Sequence, residues 1–132
     1  MTGLLSQNFY VKVKPISINK AFQGRRFKTS ECKEFEEELS YLLPKARLIK
    51  GEVEIRLTFF LKNYKRTDIS NLVKILEDIL VKKGFIEDDR KVKRMTLEKI
   101  QYKEDYIKIE ISQANKVLMH SNVSLPLAQI FG

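Results

Sequence analysis

The chain has 132 residues, of which 43% are hydrophobic and 32% charged, as expected for one folded domain. Its single cysteine, Cys32, excludes an internal disulfide framework, and its single histidine, His120, excludes a His/Cys zinc site within one chain. We expect no His-based catalytic triad, because His120 lies in the atypical C-terminal tail. No apolar run approaches the roughly 20 residues of a membrane span. Since the N-terminus also lacks the apolar stretch of a secretory signal, we expect a cytoplasmic protein with no membrane partner.

Basic residues clearly outnumber acidic ones. Twenty-five Lys and Arg residues against 17 Asp and Glu residues give a formal charge of +8 at pH 7. Such an excess favours a polyanionic partner, nucleic acid first and an acidic membrane surface second. A protein that is simply rich in lysine has the same charge, so the charge alone leaves that alternative open.

The N-terminal third predicts a strand, a loop and a helix. Residues 9–16 alternate between apolar and polar side chains, which is typical of a half-buried strand. The polar stretch 17–29 predicts a basic loop, and a helix is predicted over 30–43, ending before Pro44. The apolar stripe of this helix consists of Cys32, Phe35, Leu39 and Leu42.

The middle of the chain predicts a second strand and a second helix. A clear alternation of apolar residues begins after Gly51. The basic loop 62–67 then leads to Asp68, which suits the N-cap of a helix over 69–83, and Gly84 suits the C′ position that ends it. The predicted core face of this helix consists of Ile69, Leu72, Leu76, Ile79 and Leu80.

Two further strands are predicted over 92–101 and 106–112, joined as a hairpin by the polar turn between them. The order is β-α-β-α-β-β, so we expect one small α+β domain over residues 1–112, with two main helices packed on a mixed β-sheet. Residues 113–132 carry one formal charge, Lys116, among many apolar side chains. This apolar C-terminal extension must pack on its own chain, on a dimer mate or on a protein partner.

Carboxylates at the ends of elements are the candidates for chemistry. Asp68 stands at a strand-loop-helix junction, and Asp88 and Asp89 form an acidic turn. Adjacent acids repel each other unless a cation or a basic partner relieves the repulsion, and oxygen-rich clusters suit Mg²⁺ or Mn²⁺. The structural alternative is that Asp68 is only an N-cap and that the pair is only a turn.

The segment around these acids resembles the RusA family of Holliday-junction resolvases, which are common in phages and prophages. Pro15–Asn19 and Gly24–Thr29 are also similar to the family, and the resemblance covers about residues 10–111 but not the C-terminal extension. The residues of the main motif are the basic pair Lys65-Arg66, then Asp68, Ser70, Asn71, Lys74, Asp78, Leu80, Gly84 and the pair Asp88-Asp89.

The resemblance implies a homodimeric endonuclease that binds four-way DNA junctions and cuts two strands symmetrically with Mg²⁺ or Mn²⁺. It implies catalytic and metal-binding carboxylates at Asp68 and Asp89, with Asp88 beside the latter, and an essential lysine at Lys74. Ser70 stands where the best-studied pattern has a third catalytic aspartate. This departure removes one anionic ligand from the site.

A phosphodiesterase can use these residues in a simple way. A metal held by Asp68 and Asp89 polarises the scissile phosphate and lowers the pKa of an attacking water. Lys74 contacts the phosphate or neutralises the leaving oxygen. The alternative role of Lys74 is a salt bridge to Asp78, four residues on. Asn71, one turn before Lys74, is placed to orient a ligand or a phosphate.

Chain length suggests that the site is shared between subunits. The predicted helix after Asp68 is roughly 22 Å long, and the residues from its end to Asp89 reach about 20 Å at full stretch. Bringing both aspartates together in one chain therefore needs almost straight backtracking. We hypothesise a site with Asp68 from one subunit and Asp88 and Asp89 from the other.

Basic and amide side chains predict a DNA surface with strong salt dependence and little sequence readout. The candidates are Asn19, Arg25, Arg26, Lys28, Lys62, Lys65, Arg66 and Asn71. The leading prediction is a metal-dependent, structure-selective endonuclease that resolves four-way junctions in recombination and repair. The alternatives are a non-catalytic binder of branched or double-stranded DNA, whose activity was lost with Ser70, and an interaction protein that acts through its C-terminal extension.

Overall fold

The computed structural model describes residues 5–16, 22–23 and 27–114. The helices and strands of these residues are, in chain order, β1 (Ser6–Val11), β2 (Phe22–Gln23), β3 (Phe27–Lys28), α1 (Ser30–Leu42), β4 (Val53–Leu61), α2 (Val73–Lys82), β5 (Val92–Gln101) and β6 (Tyr106–Gln113). Short 3-10 turns occupy Tyr64–Arg66, Ile69–Leu72 and Asp89–Lys91. The predicted α+β domain with a mixed sheet and two main helices is confirmed, and β2 and β3 add a small ribbon in the predicted basic loop.

The main sheet of the described residues has the strand order β1-β6-β4-β5. β4 pairs antiparallel with β6 on one side and parallel with β5 on the other. The predicted hairpin between the last two strands is therefore wrong, because β4 lies between them. The helix α2 allows the chain to cross over from β4 to a parallel neighbour, and β4, the most apolar strand, occupies an interior position.

One face of this sheet and the two main helices enclose the core. The first predicted strand lies earlier in the chain than expected, over Ser6–Val11, but Val11 and Val13 point inward as predicted. Leu42 is 39% exposed, so its predicted place in the stripe of α1 is wrong. Because α1 ends there and the backbone of Leu43 is extended, Leu43 is buried instead. The principal buried residues are Cys32, Phe35, Leu39, Ile55, Leu57, Phe59, Leu72, Leu76, Ile79, Leu80, Ile107, Ile109 and Ile111.

The two ends of α2 follow the predicted capping residues with one difference. Asp68 caps the 3-10 turn Ile69–Leu72, and the α-helix itself begins only at Val73. At the other end Gly84 has a φ of +86°, and its N–H donates to the carbonyl of Val81 while the N–H of Phe85 donates to that of Leu80. This pair of hydrogen bonds is a Schellman motif, so the chain reverses direction at the predicted glycine.

Several predictions concern residues outside the described ranges. They include the packing of the C-terminal extension beyond Ala114 and the positions of Asn19, Arg25 and Arg26. Among the described residues, none of the helices is both long and apolar enough to cross a membrane.

Candidate active site

Asp68 lies at the end of the loop that follows β4 and holds a small hydrogen-bonded group. Its Oδ1 accepts from the backbone N–H of Ser70 at 3.1 Å and from the Ser70 hydroxyl at 2.7 Å. Its Oδ2 accepts from Asn71 Nδ2 at 3.5 Å. The Ser70 donors and, more weakly, the charge of Lys99 hold the pKa of the exposed Asp68 carboxyl below its usual range. Asp68 is therefore an anion with its outer side open to solvent.

Lys99 fixes the loop that presents Asp68. Its Nζ donates to the carbonyl oxygens of Tyr64 at 2.7 Å and Thr67 at 3.0 Å, and it lies 4.4 Å from the centroid of the Tyr64 ring. Thr67 immediately precedes Asp68. Sequence reasoning missed Lys99, although the signal was present: it occupies an inward position in the alternation of β5, opposite the buried Phe59.

Lys74 lies between two carboxylates. Its Nζ is 3.1 Å from Asp78 Oδ1 and 3.5 Å from Asp89 Oδ2. Asp78 foremost, and then Asp89, raise the pKa of Lys74, so its ammonium is charged at neutral pH. The structural alternative, the salt bridge to Asp78, is present in the structure, and it coexists with the contact to Asp89 rather than replacing it.

Asp88 and Asp89 have different partners. Asp88 Oδ2 accepts from Arg90 Nε at 3.2 Å and Nη2 at 2.9 Å, and Asp88 Oδ1 accepts from the Arg90 backbone N–H at 2.9 Å. These donors hold the pKa of Asp88 far below its usual range. The repulsion within the acidic turn is thus relieved by Arg90 on one side and by Lys74 on the other. Asp88 serves as the cap of the turn Asp89–Lys91.

The structure brings the predicted residues together in two groups. Asp68, Ser70 and Asn71 form one, and Lys74, Asp78 and Asp89 form the other. The two groups belong to opposite ends of β5, since Lys99 near its end holds the loop before Asp68 and the turn of Asp89 leads into its start. The site shared between subunits stays a prediction.

Glu77 is an additional acid that sequence reasoning missed. It is half-buried on α2, and partial burial foremost, together with the charge of Asp89, raises the pKa of its carboxyl. Glu77 follows Lys74 by three residues, and this spacing in the sequence places the two side chains on the same side of a helix.

The donor set permits a divalent cation but not a closed cage. Among the described residues no three Asp, Glu, His or Cys side chains are grouped so as to hold a metal ion. Mg²⁺, however, is commonly held by one or two carboxylates and completed by water and substrate phosphates. The exposed, ionised Asp68 fits that kind of site, with Ser70 as a neutral neighbour.

A cleft of about 570 Å³ opens beside Asp68. The β4–α2 loop lines the cleft with Lys62, Arg66 and Asn71 beside Asp68 itself, and Asp105 adds a further carboxylate. The helix α1 contributes an acidic wall. Lys65 is exposed nearby, while the side chain of Lys28 is outside the described part. The acidic wall consists of Glu31, Glu34 and Glu38, which sequence reasoning did not connect with Asp68.

Comparison with known proteins agrees with this geometry. The profile of the family described as Endodeoxyribonuclease RusA matches residues 11–112 of the chain. The match includes both groups of candidate residues. A search of curated proteins returned no match.

Proposed function

Since the chain belongs to the RusA endodeoxyribonuclease family, a family of DNA-binding hydrolases, we propose that it resolves four-way DNA junctions by paired symmetric nicks with Mg²⁺ or Mn²⁺. It acts in this proposal as a cytoplasmic homodimer on branched recombination intermediates. A two-fold dimer suits a four-way junction, because it places two equal sites on two opposed strands. The observation that carries the proposal is an ionised, accessible Asp68 beside a cleft that Lys62 and Arg66 also line.

Each residue of the Asp68 group has a role in this proposal. Asp68 holds the divalent cation, which when bound supplies a Lewis acid for the scissile phosphate. The Ser70 hydroxyl and the Asn71 amide fix the Asp68 carboxylate in one orientation. Lys62 and Arg66 attract and hold flanking phosphates, since both line the cleft.

In the second group, which consists of Lys74, Asp78 and Asp89, Lys74 is the residue that we propose acts on the phosphate. Asp78 and Asp89 keep its ammonium charged and hold it in place. A positioned cation stabilises the charge that develops on the leaving oxygen. Because Lys99 holds the loop before Asp68 near the end of β5, whereas the turn that carries Asp89 leads into the start of that strand, we propose that the complete site combines Asp68 of one subunit with Asp89 of the other.

The test of activity uses a synthetic four-way junction and a linear duplex of the same sequence, each with Mg²⁺, Mn²⁺ or EDTA. We expect metal-dependent nicking of two opposed strands of the junction and none of the duplex. Asp68→Asn retains the side-chain oxygen that caps the turn but loses the charge, so we expect it to fold and to lose nicking. Equal cutting of the junction and the duplex contradicts selectivity, and cutting in EDTA contradicts the metal requirement.

The test of the shared site mixes two inactive variants, Asp68→Asn and Asp89→Asn, and allows subunits to exchange. If sites are shared, half of the dimers are mixed and each has one intact site, so the mixture regains about a quarter of the native sites. If each site lies within one chain, every site in a mixed dimer carries one substitution and the mixture stays inactive.

The runner-up is a protein that binds branched or double-stranded DNA without cutting it. The observation that favours it is the lack of a three-carboxylate group in the described residues, together with Ser70 beside Asp68. Tight junction binding without cutting in any metal supports this alternative. The next variant is then Ser70→Asp, which restores the third carboxylate and should restore nicking if the missing ligand is the cause.

A further inference from the structure

The face of the main sheet opposite the core carries four connected aromatic rings, which we call the aromatic platform. It consists of Tyr10, Phe60, Tyr102 and Tyr106, and the centroids of successive rings are 6.2, 5.8 and 6.1 Å apart. Tyr10 is 60% exposed and Tyr102 is 42% exposed. Burial in the core of this chain therefore does not explain why these large rings are grouped.

Two lysines accompany the platform. Lys108 Nζ lies 5.5 Å from the centroid of the Tyr10 ring, and Lys12 Nζ lies 5.9 Å from that of Tyr106. Aromatic rings beside cations are the features that bind unpaired nucleotides, because bases stack on the rings while the cations attract phosphates. A base in an intact duplex is covered on both sides and cannot use such a surface.

The platform adjoins the cleft beside Asp68 through neighbouring residues of the chain. Phe60 is followed by Leu61, and Tyr106 is preceded by Asp105, and both of these neighbours line the cleft. The Asp105 carboxylate also accepts a hydrogen bond from the backbone N–H of Lys62 at 3.0 Å. The outer face and the cleft thus meet at one end of the sheet.

We propose that the aromatic platform is a second DNA-binding site, which takes unpaired nucleotides of a strand that continues over this end of the sheet into the cleft. The inference rests on the proposed function, because it assumes that the bound DNA strand continues from the platform into the cleft beside Asp68. It adds a binding site for unpaired nucleotides, and these nucleotides supply the preference for branched over linear DNA. Nucleotides at a branch leave the stack at a lower cost than those inside a duplex.

A second copy of the chain fits this face less well. An isologous contact brings the same surface of both subunits together. Lys12, which pairs with Glu104 at 3.1 Å, and Lys108, which lies 3.8 Å from Glu110, would then be removed from water in both copies. Burying ion pairs carries a large desolvation cost.

The test measures binding of labelled single-stranded oligo-dT, and of a duplex of equal length, by fluorescence anisotropy in EDTA. The variants are Tyr10→Ala and Tyr102→Ala, with Tyr102→Phe as the conservative change. Tyr41→Ala is the matched control, because Tyr41 is 88% exposed on α1, away from the platform. All four changes lie at accessible side chains, and thermal unfolding verifies that each variant is folded.

We expect each alanine variant to raise the Kd for oligo-dT by about 5-fold or more, as for a lost base-stacking contact. The Kd for duplex should stay within about 2-fold, and the phenylalanine and Tyr41 variants should bind like the native chain. An unchanged Kd for oligo-dT overturns the inference, and so does an equal loss of duplex binding. Unchanged oligo-dT binding with a weakened dimer in sedimentation assigns the face to a subunit contact instead.

These outcomes are separate from those of the proposed function, because binding in EDTA requires no cutting. A chain that cuts junctions but binds oligo-dT without the platform overturns only this inference. A chain that binds oligo-dT through the platform but cuts no junction overturns only the proposed activity.

Discussion

At the residue scale, the local surroundings of each aspartate decide its chemistry. Asp68 accepts hydrogen bonds from neutral donors and stays accessible, whereas Asp88 is occupied by Arg90 and Asp89 by Lys74. The sequence allowed the prediction of Asp68 as a cap, because capping depends on residues next to one another. The contact between Asp89 and Lys74 was not predictable in the same way, since it depends on how the chain reverses after α2.

The pH dependence of Asp68 should follow its hydrogen bond with Ser70. Replacing Ser70 by Ala removes the hydroxyl donor, so the pKa of Asp68 should rise toward its ordinary value. A carboxyl whose pKa is lowered in the folded state stabilises the fold at pH values above its ordinary pKa. This stabilisation is lost as the pH falls through the lowered pKa. We therefore expect the acidic limb of junction nicking to move to higher pH in Ser70→Ala. Carboxyl NMR titration measures the shift directly, with Ser112→Ala as the control.

Lys74 and its helix neighbour should have unequal effects on cutting. We expect Lys74→Gln to lower the nicking rate by about 100-fold, because it removes a positioned cation. Asp78→Asn should change it only a few-fold, since Lys74 keeps its contact with Asp89. Single-turnover rates on the junction give the comparison, with Lys82→Gln as the control. If both variants lose activity equally, the ion pair itself is what matters.

At the scale of elements, the strand β5 and the chain reversal at Gly84 after α2 position the group of Asp68 and the group of Asp89. Lys99 near the end of β5 holds the loop before Asp68, while the turn that carries Asp89 leads directly into the start of the same strand. The buried Phe85 and Ile86 anchor the chain between α2 and that turn. The extent of each strand was predictable from its alternation, but its neighbours in the sheet were not.

The positioning role of Lys99 predicts a specific loss. Lys99→Met keeps an unbranched side chain one atom shorter than lysine but removes the ammonium that donates to the carbonyls of Tyr64 and Thr67. Such charged hydrogen bonds contribute about 1.5–3 kcal/mol. We expect a lower melting temperature and at least about 10-fold slower nicking, with a raised metal requirement. Lys93→Met, on the same strand beside Glu52, is the control. Native-like metal dependence in Lys99→Met contradicts positioning of Asp68.

The glycine at the end of α2 predicts a stability effect. Gly84 has a φ of +86° with open space where a Cβ would lie, so alanine suffers only the backbone penalty of about 1–2 kcal/mol. We expect Gly84→Ala to lower the free energy of unfolding by that amount, and Gly84→Asn to lower it less. Urea unfolding measures both changes. An unchanged midpoint in Gly84→Ala contradicts the positive φ.

At the scale of the whole molecule, net charge and strand order have different origins. The charge of +8 is a property of composition alone, and it favours a nucleic acid partner whatever the order of the strands. The central position of β4 depends instead on which strand edges meet across the sheet, and periodicity within a strand carries no such information. The predicted hairpin is wrong for that reason, although the order of helices and strands along the chain is confirmed.

Long-range electrostatics should make DNA binding depend on salt. Each phosphate that a basic side chain neutralises steepens the fall of log affinity with log salt by about one. We expect Arg66→Gln to reduce this slope for junction binding by about one, whereas Tyr41→Ala leaves it unchanged. Anisotropy titrations at several salt concentrations measure the slopes. An identical slope for Arg66→Gln removes it from the DNA surface.

The strand β5 has only one neighbour in the described sheet, β4, and this edge position also affects self-association. Within the described sheet β5 is an edge strand of ten residues, and an edge of this length offers unpaired backbone groups on which other chains can add as strands. Its exposed side chains include Lys93, Arg94 and Glu98, and charged residues on an edge oppose such growth. The same charged surface that we propose for DNA is therefore expected to oppose strand addition between free copies of the chain.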